Sequence, residues 1–232
     1  CYVTEDGAET DLDLGHYERF LNSYTSQKNN ITAGKIYKSV IEKERKGKYL
    51  GKTVQVIPHI TDEIKKQIKS LSKDNFDFII TEIGGTVGDI ESLPFVEAIR
   101  QLKWELESNA LVMHLTLIPY LHSSGELKTK PTQNSVKKLR ELGLQPDIIV
   151  CRTRHDLTEE VKNKVALFCN IDKPSVIESK DAETIYEVPF LMRKEQLDKV
   201  VLKKLKIKTR KESNLTNWNK FLKNFKNPKK ET

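Results

Sequence analysis

Four short stretches hold residue types that could do chemistry. Glu82 closes an apolar run and is followed by Gly84, Gly85 and Thr86. A carboxylate at a strand end, ahead of a glycine-rich loop, is where nucleotide-binding α/β proteins hold Mg²⁺. An ordinary solvated glutamate would look the same from position alone. Asp11 and Asp13 alternate with Leu12 and Leu14, which suits either a capping acid at a helix start or a second metal ligand. The run 84–92 contains Gly84, Gly85 and Gly88, then Asp89, Ile90 and Glu91. Glycines there let a ligand approach the backbone. No Lys-Ser/Thr pair follows, and no GxxxxGK[ST] motif occurs anywhere in the chain. Lys128, Thr129, Lys130, Pro131, Thr132 and Gln133 stand before a helical pattern. Two ammoniums, hydroxyls and free helix amides suit a polyphosphate, although a solvated basic loop has the same composition. His59, His114 and His122 are isolated and read as structural.

The elements that must position these groups alternate. Residues 53–57 read as a strand ended by Pro58, and Thr61 as the cap of a helix carrying Ile64, Ile68 and Leu71 on one face. Residues 76–82 read as a strand buried on both faces. Pro94 suits the start of a helix with Phe95, Ile99, Leu102 and Leu106 inward. Residues 110–118, 147–151 and 175–178 read as further strands, separated by helices over 134–142 and 159–168. This rhythm means βαβ units and a parallel sheet, with ligands at the carboxyl ends of the strands. After residue 206 the chain turns basic, and Leu215, Trp218, Leu222 and Phe225 recur at helical spacing. That stretch reads as a linker with one amphipathic helix.

A chain of 232 residues, 37% hydrophobic, can bury one sizeable core. No apolar run reaches the roughly 18–20 residues of a membrane helix. The first fifteen residues are acidic, unlike a secretory signal. Cys1, Cys151 and Cys169 have no metal-type spacing and read as reduced thiols of a cytoplasmic protein. The net charge of +7 is a tail property: residues 201–232 hold eleven Lys or Arg against two Glu, leaving the first 200 at −2. A slightly acidic body argues against a specific nucleic-acid groove.

Taken together, the segments resemble the CTP synthases. The resemblance is carried by the run Tyr-Val-Thr-Glu-Asp-Gly-Ala-Glu-Thr-Asp-Leu-Asp-Leu-Gly-His-Tyr-Glu-Arg-Phe over 2–20, by 51–61 with its Gln-Val-Ile-Pro-His, by 82–94, and by 128–133. It covers roughly residues 1 to 230. It implies an α/β, Rossmann-like, P-loop-type three-layer sandwich with a mainly parallel sheet, incomplete at the N-terminus. It further implies a partial amidoligase (synthetase) domain over 1–206 and a basic interdomain linker over 207–232. The implied activity is ATP-dependent amination of UTP to CTP: phosphorylation of uracil O4, then displacement by ammonia derived from glutamine. Feedback by CTP, a homotetramer, and Mg²⁺ with ATP as co-substrate come with it.

By the same resemblance, Asp13 and Glu82 match Mg²⁺ ligands. Gln55, Lys128, Thr129, Lys130, Pro131, Thr132, Gln133 and Lys164 match UTP and CTP contacts. Asp89, Ile90 and Glu91 match the segment that reads inhibitory cytosine. Asp13, Arg152, Lys180, Asp181 and Ala182 match ATP contacts. The family's phosphate loop would precede Cys1, and its glutaminase domain would follow Thr232. The chain by itself is therefore expected to be inactive, with 227–230 as the linker toward that domain. Two other readings are a related P-loop amidoligase or dethiobiotin-synthetase-like ligase, and a nucleotide-responsive assembly module. Residues 128–133 favour UTP over another ligase's acceptor.

Overall fold

Ile36 and Val40, Ile64 and Ile68, Ala98 and Leu102 are apolar pairs four residues apart, and each pair faces inward from a helix. The computed structural model describes residues 1–74, 76–209 and 212–228. They fall into two compact units, Cys1–Leu102 and Lys103–Thr232. In the first, a two-stranded antiparallel hairpin, β1 (Tyr2–Val3) and β2 (Glu9–Thr10), leads into α1 (Asp13–Leu21). Helices α2 (Ala33–Arg45), α3 (Thr61–Ser70) and α4 (Leu93–Leu106) follow. Thr32 caps α2 by accepting from the Lys35 amide at 3.3 Å. The three inward pairs and Ile60 form this unit's core. Ile64 has no exposed surface, so Ile64→Ala would cost about 2–5 kcal/mol.

The second unit is built on a parallel sheet in the order β3 (Met113–Leu117), β6 (Ile148–Thr153), β7 (Val176–Lys180). A short antiparallel hairpin, β4 (Tyr120–Leu121) and β5 (Glu126–Leu127), follows β3. Helices α5 (Lys130–Glu141) and α6 (Glu159–Cys169) are the two crossovers. Alternate residues of β6 point to opposite faces. Ile149 and Cys151 pack with Val136 of α5 and with Val165, Ala166 and Cys169 of α6. Ile148 and Val150 join Ile177, Met192 of α7 (Val188–Lys194), and Leu197, Val200 and Val201 of α8 (Leu197–Lys204). Helix, sheet and helix make three layers, the α/β sandwich expected from the pattern. The last helix is α9 (Thr216–Lys226).

Three sequence expectations need correction. Residues 53–57 form no strand; a short helical turn, Val56–Ile60, takes their place. Residues 76–82 join no ladder, and Phe76, Phe78 and Ile80 are 62%, 50% and 93% exposed. A strand exists only with a partner for its backbone groups, and among the described residues 76–82 have none. Thr61 does not cap α3; it is the first helical residue, and its hydroxyl donates to the Pro58 carbonyl at 3.0 Å. The amphipathic helix expected in the tail is α9, whereas Arg210, Lys211, Lys229 and Lys230 lie outside the described residues.

Glu63 is the polar exception on the inner face of α3, at 4% exposure. The Ser39 hydroxyl donates to it at 2.8 Å and the Gln67 amide at 3.2 Å, and Lys43 pairs with its other oxygen. Burial pushes its pKa up, but Lys43, Ser39 and Gln67 together overcome that and hold it below the usual value. A carboxyl depressed in the folded state stabilises fully above its unfolded pKa, about 4.3. That contribution is lost as pH falls through the folded value. Urea titrations should therefore show wild type losing more stability than Glu63→Gln between about pH 5 and pH 3. Lys43→Ala, which leaves the buried carboxylate short of a partner, should cost about 1–3 kcal/mol at pH 7.

Candidate functional site

In the first unit, α1 presents Asp13 as its first residue. The hairpin sets where that helix begins. A Cβ on Gly15 would lie 2.8 Å from the Tyr2 ring, so only glycine lets the hairpin lie this close to α1. The Tyr2 hydroxyl donates to one oxygen of Glu18, and the amide and hydroxyl of Thr25 donate to the other, each at 2.7 Å. Those bonds, Thr25 first, hold the Glu18 carboxyl below its ordinary range. Glu82 is exposed, and the charges of Asp13 and Asp11 reach it. The Glu82 carboxyl is pushed up, first by desolvation and then by the charges of Asp13 and Asp11. The sequence offers Asp11 and Asp13 alike as capping acid or metal ligand, and the resemblance matches only Asp13 to Mg²⁺. These acids do not form a closed cage: among the described residues no group of three or more His, Cys, Asp or Glu is placed to hold a metal ion. Mg²⁺ is commonly held by one or two carboxylates plus water and phosphate oxygens, and an open acidic pair fits that donor set.

Glu82 leads into a tight turn. Gly85 has φ +84, and its amide neighbour Thr86 donates to the Asp89 carboxylate at 2.8 Å. The Asp89 amide returns a bond to the Thr86 carbonyl at 3.1 Å, and the Ser92 hydroxyl donates to the Asp89 carbonyl at 2.9 Å. Asp89 is thus occupied in shaping the loop. Ile90, 83% exposed, and Glu91 stand out from it into solvent. Gln55 is exposed, and its backbone N–H donates to Nδ1 of His59 at 2.9 Å.

In the second unit the charged residues gather at the carboxyl ends of the strands, where an open α/β sheet binds ligands. Lys128 follows β5 and pairs with Glu126. The Glu126 carboxyl is held low chiefly by that bond and by Ser124, with Lys164 of α6 adding its charge. The charge of Lys164 thus reaches the carboxylate that Lys128 pairs with. Lys130 and Pro131 occupy the first turn of α5 and are exposed, and no side chain caps that helix. Thr129 and Thr132 turn inward instead. The Thr129 hydroxyl accepts from Gln133 at 3.0 Å, and the Thr132 hydroxyl, with no exposed surface, bonds to Thr116 Oγ1 at 3.0 Å and the Leu117 carbonyl at 3.2 Å. Of the six residues 128–133, these two are held inside the fold.

Arg152 near the end of β6 bonds Asp181 at 3.2 Å, and Arg154 reaches the other oxygen of Asp181 at 3.5 Å. Lys180, the last residue of β7, pairs with Asp156 at 2.8 Å. The Asp181 amide donates to the Thr153 carbonyl at 2.9 Å, which carries the ladder one residue past β7, and Ala182 follows half-buried. Arg154, Asp156 and Glu126 escaped the sequence reading. The run Arg-Thr-Arg-His-Asp at the end of β6 is the signal that could have found two of them. His114 is buried, bonds Ser135 at 2.8 Å and is pushed down by burial, so its part is structural. His122 stands edge-on to Tyr120 at 5.2 Å.

The family model described as CTP synthase N-terminus matches residues 1–207. The chain belongs to that family. It is 65% identical over 233 residues to a CTP synthase of Christiangramia forsetii, 64% over 231 to one of Flavobacterium johnsoniae and 62% over 223 to one of Bacteroides thetaiotaomicron. These alignments take in 100%, 99% and 96% of this chain. The chain spans 43% of the first two relatives and 42% of the third. Family membership fits the open acidic pair and the lysines at the strand ends. No helix among the described residues is long and apolar enough to cross a membrane.

If Asp13 raises the Glu82 pKa through space, Asp13→Asn should bring it down. Carboxyl ¹³C NMR titration should show the Glu82 midpoint moving lower in that variant. An unmoved midpoint would mean that the two acids are not neighbours.

Proposed function

We propose that this chain serves the synthetase half of a CTP synthase: ATP-dependent amination of UTP to CTP. The observation that carries the reading is 65% identity across the whole chain to a protein named CTP synthase, and the acids Asp13 and Glu82 and the lysines near the strand ends support it. In this reaction the uracil O4 attacks the γ-phosphorus of ATP, and ADP leaves. Ammonia then adds at C4, and inorganic phosphate departs with O4. The gain from the protein is charge neutralisation and positioning, since phosphoryl transfer asks little covalent help. Two triphosphates brought together repel strongly unless cations intervene. Lys128, Lys130 and Lys164 would hold the pyrimidine triphosphate, with Pro131 and Gln133 shaping that loop and Gln55 near the uracil. Thr129 and Thr132 would act through the backbone and helix start they secure. Arg152, Lys180, Asp181 and Ala182 would contact ATP. Asp13 and Glu82 would hold Mg²⁺, which when bound would offset phosphate charge.

The same reading extends to regulation and assembly. The segment of Asp89, Ile90 and Glu91 would read the cytosine of inhibitory CTP, Ile90 and Glu91 from exposed positions and Asp89 by holding the loop's shape. The catalytic domain would run over 1–206 and the basic linker over 207–232. Ammonia would come from a glutaminase domain, the working form would be a homotetramer, and the protein would act in the cytoplasm.

Steady-state kinetics of the native full-length protein at fixed Mg²⁺ test the division of labour. Lys128→Ala and Lys130→Ala should each raise the UTP KM and the CTP inhibition constant together, by about ten- to a hundredfold, or about 1.5–3 kcal/mol. The ATP KM should change much less. Glu91→Ala should relieve CTP inhibition and leave the UTP KM largely intact. A rise confined to the ATP KM in Lys128→Ala, or equal damage to UTP and CTP in Glu91→Ala, would overturn the assignment.

A further inference from the structure

The short helical turn Ile185–Glu187 comes just after Lys180, Asp181 and Ala182. Tyr186 in that turn is surrounded by the aromatic face of α9. Ring centroids lie 6.1 Å from Trp218, 5.1 Å from Phe221 and 5.1 Å from Phe225. The Trp218 indole N–H donates to the Tyr186 carbonyl at 2.8 Å. Further along the helix, the Lys226 ammonium bridges Glu183, at 2.8 Å, and Glu187. That pairing holds the Glu187 carboxyl low and lifts Lys226. The connection from β7 to α7 is therefore held at both ends. At its start the Asp181 amide is tied to Thr153, and at its far end three rings, one indole bond and one bridging lysine from α9 grip it.

We infer that α9 is a positioning clamp on the β7–α7 connection, through which the basic tail segment sets the affinity for ATP. The inference rests on the reading that Lys180, Asp181 and Ala182 contact ATP. A surface loop binds a ligand only after paying the entropy of being ordered, and a loop ordered in advance avoids that cost at binding. Exposed ion pairs alone would do little of this. The indole bond fixes direction, the partly exposed rings add apolar contact, and the lysine bridge adds to them. Trp218 and Lys226 thus act on ATP through the loop, without touching it.

The test uses the native full-length protein titrated calorimetrically with Mg·AMP-PNP and, separately, with UTP. Trp218→Phe keeps a ring and removes the indole donor; Lys226→Ala removes the bridge. The double variant should bind AMP-PNP about 3- to 10-fold more weakly, with UTP affinity unchanged within about twofold. Lys226→Arg, which can still bridge both carboxylates, should keep wild-type affinity. If the double variant is too unstable to titrate, Trp218→Phe alone decides, with a smaller loss confined to AMP-PNP. Unchanged AMP-PNP affinity, alongside a Lys180→Ala variant that does weaken it, overturns the clamp and leaves the ATP assignment standing. An equal loss of AMP-PNP and UTP also overturns the clamp, as a merely structural role would produce it. Unchanged affinity in Lys180→Ala removes the ATP assignment itself.

Discussion

Burial of β6 on both faces is the constraint from which the second unit follows. Four consecutive apolar residues, Ile148, Ile149, Val150 and Cys151, can be kept dry only by a sheet with helices on each side. Each fully buried aliphatic side chain contributes about 1.5–3 kcal/mol, and an exposed face would forfeit half of them. The parallel partners β3 and β7 then need crossovers, which α5 and α6 provide. Once the ladder exists, its carboxyl ends place Arg152 on β6 and Lys180 on β7 in register, with Arg152 opposite Ser179 and Thr153 opposite Lys180. The same burial silences the two thiols nearby. Burial pushes Cys151 up to about 12 and Cys169 up to about 11, so both behave as small apolar side chains.

The parts legible in the sequence are those whose periodicity has a local cause. The helix over 159–168 appears as Glu159–Cys169, with Thr158 capping it by accepting from the Val161 amide. The strand over 147–151 appears as Ile148–Thr153. The amphipathic spacing of Leu215, Trp218, Leu222 and Phe225 appears as α9. The helix expected over 134–142 begins four residues earlier, at Lys130. Pro131 in fact sits in the first turn, where a missing N–H costs nothing. Strands failed where pairing decides. Residues 76–82 have strong β-propensity, but propensity reports fit to a pleated, half-buried surface, not a ladder by itself.

For the candidate site, residue type was legible and state of engagement was not. The sequence offers Lys128 to a polyphosphate, and the resemblance gives Lys180 and Arg152 to ATP, yet each already holds a carboxylate: Glu126, Asp156 and Asp181. These partners lie 2 to 29 residues away in sequence, and only folding brings the distant ones together. Exposed pairs of this kind are weak and exchange readily with water or a stronger anion. A phosphate group carries more charge than one carboxylate and can displace it. Such pairing keeps cations oriented without making them costly to recruit. Thr132 is the opposite case. Its hydroxyl is spent on Thr116 and Leu117 in the dry interior, where breaking the bonds would leave buried polar groups unpaired.

The distribution of charge follows from the same distinction. The tail's excess of lysine and arginine looks like a nucleic-acid signal in composition, but two of those cations, Lys204 and Lys226, have local partners. Lys204 lies 3.8 Å from Asp172, and Lys226 bridges Glu183 and Glu187. A nucleic-acid face needs cations aligned and free to displace counterions. Cations committed to nearby carboxylates give up part of that gain. What holds α9 in place is chiefly apolar: Trp218, Phe221 and Phe225 cover Tyr186, while the lysines of the helix lie at the edge of that contact or in solvent. Its basic character keeps a strongly aromatic helix soluble on one side while the rings bind on the other.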